Sequence, residues 1–242
     1  MKRFFVLGSG IGYSLSPTIF ARLFEIFGEK GEYAIMDVNP ENLSKIADIC
    51  ANYDGFNVTK PFKTDIIRYL SQDCSDCGSV NTVTVSDMKG YSTDGAGFIF
   101  DLEQNFSGAS SSDVLIVGYG GAALACAHAL KKCGANVAVT GRNQQKAAEF
   151  AARCGIRLFD DRFKPSGVVS CVTQSYVPKL SSKVDFCYDL RYTGQTLSLD
   201  CSSAGGLGML IAQAIYSYSI FTGKQFDNND LKRLYLSIRE TL

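Results

Sequence analysis

Short apolar runs alternate along this chain with longer stretches in which apolar residues recur every three or four positions. That is the pattern of strands interleaved with amphipathic helices. In the first part, residues 3–7, 32–37, 55–58 and 80–85 read as strands, and helices are predicted near 17–27, 40–51 and 61–70. Pro17 and Pro61 suit the first turn of a helix, where a missing N–H goes unused. The stretch 106–112, Phe-Ser-Gly-Ala-Ser-Ser-Ser, has the composition of a linker. Beyond it, a fully apolar strand at 113–117 turns on glycines into a helix reaching residue 133, and a strand follows at 136–140. This is a βαβ unit. Further strands are predicted at 155–159, 167–171 and 184–188, and the end of the chain, 205–242, reads as two helices separated by Gly223.

The length of 242 residues fits two modest domains or one large α/β domain. No window reaches the ~18 uninterrupted apolar residues of a membrane span. The nearest, 207–221, is broken by Gln213, Ser217 and Ser219. The apolar start at Phe4-Phe5-Val6-Leu7 stops at Gly8-Ser9-Gly10 and reads as a strand rather than a signal peptide. Lys plus Arg and Asp plus Glu both number 24, so net charge draws the chain to neither nucleic acid nor an anionic membrane. Nine cysteines without framework spacing suit a reduced, cytoplasmic protein. Cys74-Ser75-Asp76-Cys77 has no second such pair and His128 is the only histidine, so no metal is expected.

Gly118-Tyr119-Gly120-Gly121-Ala122-Ala123 matches the G-x-G-x-x-A dinucleotide fingerprint in its proper place, after a strand and opening a helix. The first glycine allows the tight turn, the second lets backbone approach a pyrophosphate, and the helix N-terminus offers it N–H groups. Gly118, Gly120, Gly121 and Ala122 are therefore candidate cofactor contacts. The next strand ends in Thr140-Gly141-Arg142-Asn143, with Lys146 one turn on and no carboxylate before Glu149. A carboxylate there would select NAD, whereas Arg142 can bind a 2′-phosphate, so NADP is the expected cofactor, with Arg142, Asn143 and Lys146 beside it. The alternative keeps Arg142 and Lys146 as solvated residues at a helix start.

Four stretches of the first part combine hydroxyls, amides and charge: Ser14-Leu15-Ser16-Pro17, Asn57-Val58-Thr59-Lys60-Pro61-Phe62-Lys63, Val80-Asn81-Thr82 and Thr93-Asp94-Gly95. Singly each suits a turn or cap; Ser16 and Asp94 have the chemistry of helix N-caps. In order, and followed by the glycine turn and Gly206-Leu207-Gly208-Met209-Leu210-Ile211-Ala212-Gln213, the series resembles the shikimate dehydrogenase family along most of the chain.

The resemblance implies an α/β fold of two domains. A substrate domain (1–93 and 206–242), completed by C-terminal helices, would receive an inserted Rossmann-type NADP domain (94–205). It implies reversible NADPH-dependent reduction of 3-dehydroshikimate to shikimate. Ser14 and Ser16 would hold the substrate carboxylate, and Thr59, Asn81, Tyr188 and Gln213 would bind substrate. Lys63 and Asp94 would form the catalytic pair, and Gly206 would lie at the cofactor. Hydride delivery to a ketone leaves negative charge on oxygen, which a lysine ammonium can neutralise and protonate. Alternatives are a dehydrogenase of quinate or another polyol, or a binding protein that regulates without turnover. The implied partners are small molecules, with no nucleic acid or membrane, in a monomer or homodimer. Departures from the family pattern include Tyr13, Lys60, Ser92, Gly141 and Asn143, Leu190-Arg191, and a reduced turn at 170–174.

Overall fold

The computed structural model describes residues 1–172, 176–192, 197 and 199–242. Strand β1 (Lys2–Gly8) is followed by helix α1 (Ser16–Ile26), strand β2 (Gly31–Asp37), a 3-10 turn (Pro40–Lys45), the short helix α2 (Ile46–Cys50) and strand β3 (Gly55–Val58). A second 3-10 turn (Asp65–Tyr69) precedes β4 (Gln72–Asp73), β5 (Thr82–Thr84) and β6 (Lys89–Tyr91). Next come α3 (Asp94–Asn105), β7 (Asp113–Val117), α4 (Gly121–Lys132), β8 (Asn136–Thr140), α5 (Gln144–Cys154) and β9 (Arg157–Leu158). Strands β10 (Gly167–Ser170), β11 (Phe186–Asp189) and β12 (Ser202–Gly205) lead to the closing helices α6 (Leu207–Thr222) and α7 (Asn228–Arg239). The chain divides into two units, Met1–Thr93 with Leu210–Leu242, and Asp94–Met209.

The first unit holds a mixed sheet of order β2-β1-β3-β5-β6-β4, in which β5 runs antiparallel to both its neighbours. Both faces of β1 are buried because its alternate side chains enter different cores. Phe5 and Leu7 join Phe56, Val58, Phe62 and Ile66 on one side, while Phe4 stacks on Phe221, 4.6 Å away, on the other. The second unit is a wholly parallel sheet of order β12-β11-β10-β7-β8-β9. Val114 and Ile116 of β7 pack with Ala123, Cys126 and Ala127 of α4, and Leu115 and Val117 pack on the opposite face with Val168 and Phe163. This is the doubly covered α/β architecture expected from the alternation of elements.

Several local expectations are corrected. No α-helix forms over 61–70: the segment turns at Thr59–Phe62, Lys63 is held by its carbonyl accepting from the Val80 N–H, and only a 3-10 turn follows. The buried pair Phe62 and Ile66 has helical spacing, which is why the sequence reads as a helix. Residues 40–51 are likewise split between a 3-10 turn and α2. Ser16 is not an N-cap; Leu15 holds that position without a side-chain bond, and Ser16 begins the helix. Asp94 similarly begins α3. The serine-rich stretch 106–112 is not a boundary, because the Glu103 carboxylate accepts from the Gly108 and Ser110 N–H groups and Ala109 is buried. In the reduced turn at 170–174, Thr173 and Gln174 lie outside the described residues. Among the described residues no helix is long and apolar enough to cross a membrane.

Candidate active site

Loop 9–13 follows β1 and is held from the end of β2, where the Asp37 carboxylate accepts from the Gly10 and Ile11 N–H groups at 2.8 and 2.9 Å. The loop delivers Ser14 and Ser16 side by side, with the Ser14 hydroxyl donating to Ser16 Oγ at 3.2 Å. Ser16 is buried and hydrogen-bonded to the phenol of Tyr33, whose pKa burial raises well above the ordinary value. Tyr33 donates to Asn57 Oδ1 at 2.8 Å. Thr59 follows two residues later, half-buried, its N–H bonded to the Leu7 carbonyl and its methyl lying where a side chain at Gly8 would stand. Lys63, also half-buried, closes this strand-to-turn segment.

Deeper in the same unit, Asn81 Nδ2 donates to Thr93 Oγ1 at 2.8 Å and to Gln213 Oε1 at 3.0 Å. Its Oδ1 accepts from the Thr93 N–H at 2.7 Å and the Thr82 hydroxyl at 3.1 Å. Asn81 is only 2% exposed, so its amide, expected to meet substrate, is occupied within the protein. Gln213 is 9% exposed and also donates from Nε2 to the Leu210 carbonyl at 2.8 Å, leaving a second Nε2 proton. The backbone N–H that Asn81 fixes belongs to Thr93, the residue directly before the buried Asp94.

In the second unit, Gly118 has φ +113°, a backbone only glycine adopts readily, and its N–H bonds to the Thr140 carbonyl. Gly120 precedes the first residue of α4 in extended conformation, with nothing within 4 Å of where its side chain would be. Gly121 and Ala122 then open a helix whose first turn carries no acid. A helix N-terminus directs N–H groups and a positive dipole end at an anion. Arg142 and Lys146 are exposed at the next strand-to-helix turn. These residues fit a phosphorylated dinucleotide. Asn143 has a structural task there: its Oδ1 accepts from the Lys146 N–H at 3.0 Å as the N-cap of α5. A side chain at Gly141 would lie 2.6 Å from the Tyr119 ring, which explains glycine before Arg142. Two other departures also form one feature, since Lys60 Nζ stands 5.3 Å from the centre of the exposed Tyr13 ring.

Packing gives two further candidate residues a structural contact. Tyr188, expected to meet substrate, is fully buried, and its hydroxyl donates to Asp101 Oδ2 at 2.5 Å. Gly206 has backbone on its side-chain side, because a Cβ there would lie 2.1 Å from the Leu190 carbonyl oxygen. Asp37, Tyr33, Asn57, Thr93 and Asp101 take part in these arrangements without having been singled out as contacts; only Asn57 and Thr93, inside the N-V-T and T-D-G stretches, carried a signal. Among the described residues no three His, Cys, Asp or Glu side chains group to hold a metal ion.

A family model described as the shikimate dehydrogenase substrate binding domain matches residues 6–83. A model described as an FAD binding domain matches 113–170, which covers the βαβ unit common to dinucleotide-binding proteins. The shikimate dehydrogenase (NADP(+)) of Pyrococcus furiosus is 31% identical, over 98% of this chain and 96% of the relative. That of Ruthia magnifica is 32% identical, over 92% and 95%. Shikimate 5-dehydrogenase from Thermus thermophilus, solved in complex with NADP(H) and shikimate, superposes with a TM-score of 0.85 at 26% identity, covering 98% of this chain and all of that one. The chain belongs to the shikimate dehydrogenase family.

Proposed function

We propose that the chain is an NADP-dependent shikimate dehydrogenase, reversibly reducing 3-dehydroshikimate to shikimate. The observation that carries this reading is that likeness to NADP-dependent relatives extends through both units, covering 98% of the chain. Hydride donor and acceptor need one unit each. Bound at the glycine turn, NADPH supplies the hydride. Gly118, Gly120 and the start of α4 receive the pyrophosphate, and Arg142 with Lys146 receives the 2′-phosphate. In the first unit, Ser14 turns its hydroxyl proton to the substrate carboxylate beside Ser16, and Thr59 and the remaining Nε2 proton of Gln213 hold ring oxygens. Lys63 gives its proton to the oxygen that becomes negative as the ketone is reduced, and takes it back when the alcohol is oxidised. Asp94, buried directly after Thr93, is the acidic member of the proposed pair.

The test is consumption of NADPH, followed by its near-ultraviolet absorbance, when 3-dehydroshikimate is added, repeated with NADH and then with quinate in the oxidative direction. The expected result is turnover with higher kcat/KM for NADPH than NADH and for shikimate than quinate. Shikimate binding by calorimetry with no change in NADPH would identify a regulatory binder and end the catalytic reading.

A further inference from the structure

Ser217 lies on α6 one turn beyond Gln213 and is wholly buried. Four groups surround its hydroxyl: the Gln213 carbonyl at 2.9 Å, Asn57 Nδ2 at 2.9 Å, Thr82 Oγ1 at 2.8 Å and Thr93 Oγ1 at 3.1 Å. Asn57, 6% exposed, is the second centre of this cluster. Its Nδ2 also reaches the Asn81 carbonyl at 3.0 Å and Thr82 Oγ1 at 3.1 Å. A carbonyl oxygen only accepts, so the Asn57 amide has one permitted orientation, with Oδ1 towards Tyr33. Tyr33 must then spend its single proton on Asn57, and Ser16 is the donor in the bond between Ser16 and Tyr33.

The other branch is fixed in the same way. Asn81 gives both Nδ2 protons to Thr93 and Gln213, which pins the Gln213 oxygen inward and turns its amide nitrogen to the ligand side. Ser16, Asn81, Thr93 and Gln213 come from four separate segments, and each is bonded to Ser217, to Asn57, or to a residue that is. We propose that Ser217 and Asn57 are positioning residues for the shikimate site, fixing which atoms of Ser16 and Gln213 face the substrate while touching no ligand themselves. This rests on the shikimate dehydrogenase reading above.

A buried hydroxyl with four polar neighbours cannot be lost silently, because the groups it served must find other partners or reorient. Ser217→Ala is therefore expected to raise the shikimate KM and its calorimetric Kd about 10-fold, with the NADP KM within about 2-fold of the wild type. Ser217→Thr, which keeps the hydroxyl, should restore most of that loss. Ser219→Ala on the same helix removes a different hydrogen bond, to the Lys224 carbonyl, and should leave shikimate affinity unchanged. Ser217→Ala with wild-type shikimate affinity, or Ser219→Ala with the same loss, would overturn the assignment. If the wild type binds shikimate without turning it over, the catalytic reading fails and the dissociation constants alone decide the positioning role.

Discussion

Tyr188→Phe separates a structural hydroxyl from a ligand-binding one. The phenol donates at 2.5 Å to Asp101 Oδ2, and the two side chains are 0% and 1% exposed. Phenylalanine keeps the ring and its edge-on contact with Phe98, at 5.4 Å and 84°, so the cavity left is one oxygen atom. What goes is a donor to a buried carboxylate, a bond type worth about 1.5–3 kcal/mol. Stability in urea should therefore fall by about 2 kcal/mol at unchanged m-value, while the shikimate KM stays within about 2-fold of the wild type. A double-mutant cycle with Asp101→Asn should recover a coupling of about 1–2 kcal/mol, because the two side chains are in direct contact. Unchanged stability combined with a shikimate KM raised about 10-fold would instead assign the hydroxyl to the substrate.

The same carboxylate limits its other neighbour: a Cβ at Gly208 would lie 1.9 Å from Asp101 Oδ1, so Gly208→Ala should cost about 1–3 kcal/mol in the same denaturation assay. Burial alone would raise the Glu29 carboxyl, but hydrogen bonds from Lys2, Tyr218 and Lys224 outweigh it and hold its pKa below the ordinary value. Its stabilising contribution is then complete above the unfolded glutamate pKa and lost as pH falls through the depressed one. Glu29→Gln should accordingly cost about 1 kcal/mol at neutral pH, and the gap should close in acid, read from unfolding midpoints along a pH series. Lys63→Ala should lower turnover about 100-fold or more with shikimate Kd little changed, whereas Arg142→Ala should raise the NADP KM about 10-fold at similar kcat. Among the cysteines, burial pushes the Cys187 thiol up to about 12 while Cys133 is exposed. Mass-spectrometric footprinting with an alkylating reagent should label Cys133 early and Cys187 only on unfolding.

The strands that carry the cofactor turn were legible because burial on both faces makes them plain apolar runs; 113–117 and 136–140 have the predicted limits. β12 was invisible for the opposite reason. It is an edge strand of sequence Ser-Ser-Ala-Gly without a buried apolar side chain, and only its pairing to β11 makes it a strand. The substrate motifs were visible as clusters of polar residues, yet their division of labour was not. Nothing in the spacing of Asn81 says that its amide is consumed by Thr93, Thr82 and Gln213, and Ser217 reads as one polar break in an apolar helix. Such roles follow from which donor meets which acceptor across segments, information that enters only when the sheet and α6 come together. Tyr188 shows the same limit, since a tyrosine at a strand end suits ligand contact until Asp101 is found against its hydroxyl.

Direct hydride transfer between NADP and the shikimate ring would leave an isotopic mark on the product. That mark is read by incubating the protein with 3-dehydroshikimate and NADPH carrying deuterium at both C4 positions, then weighing the shikimate formed by mass spectrometry. Direct transfer gives product bearing one carbon-bound deuterium from the cofactor. Shikimate formed without the label, or intact substrate beside intact cofactor, would contradict it.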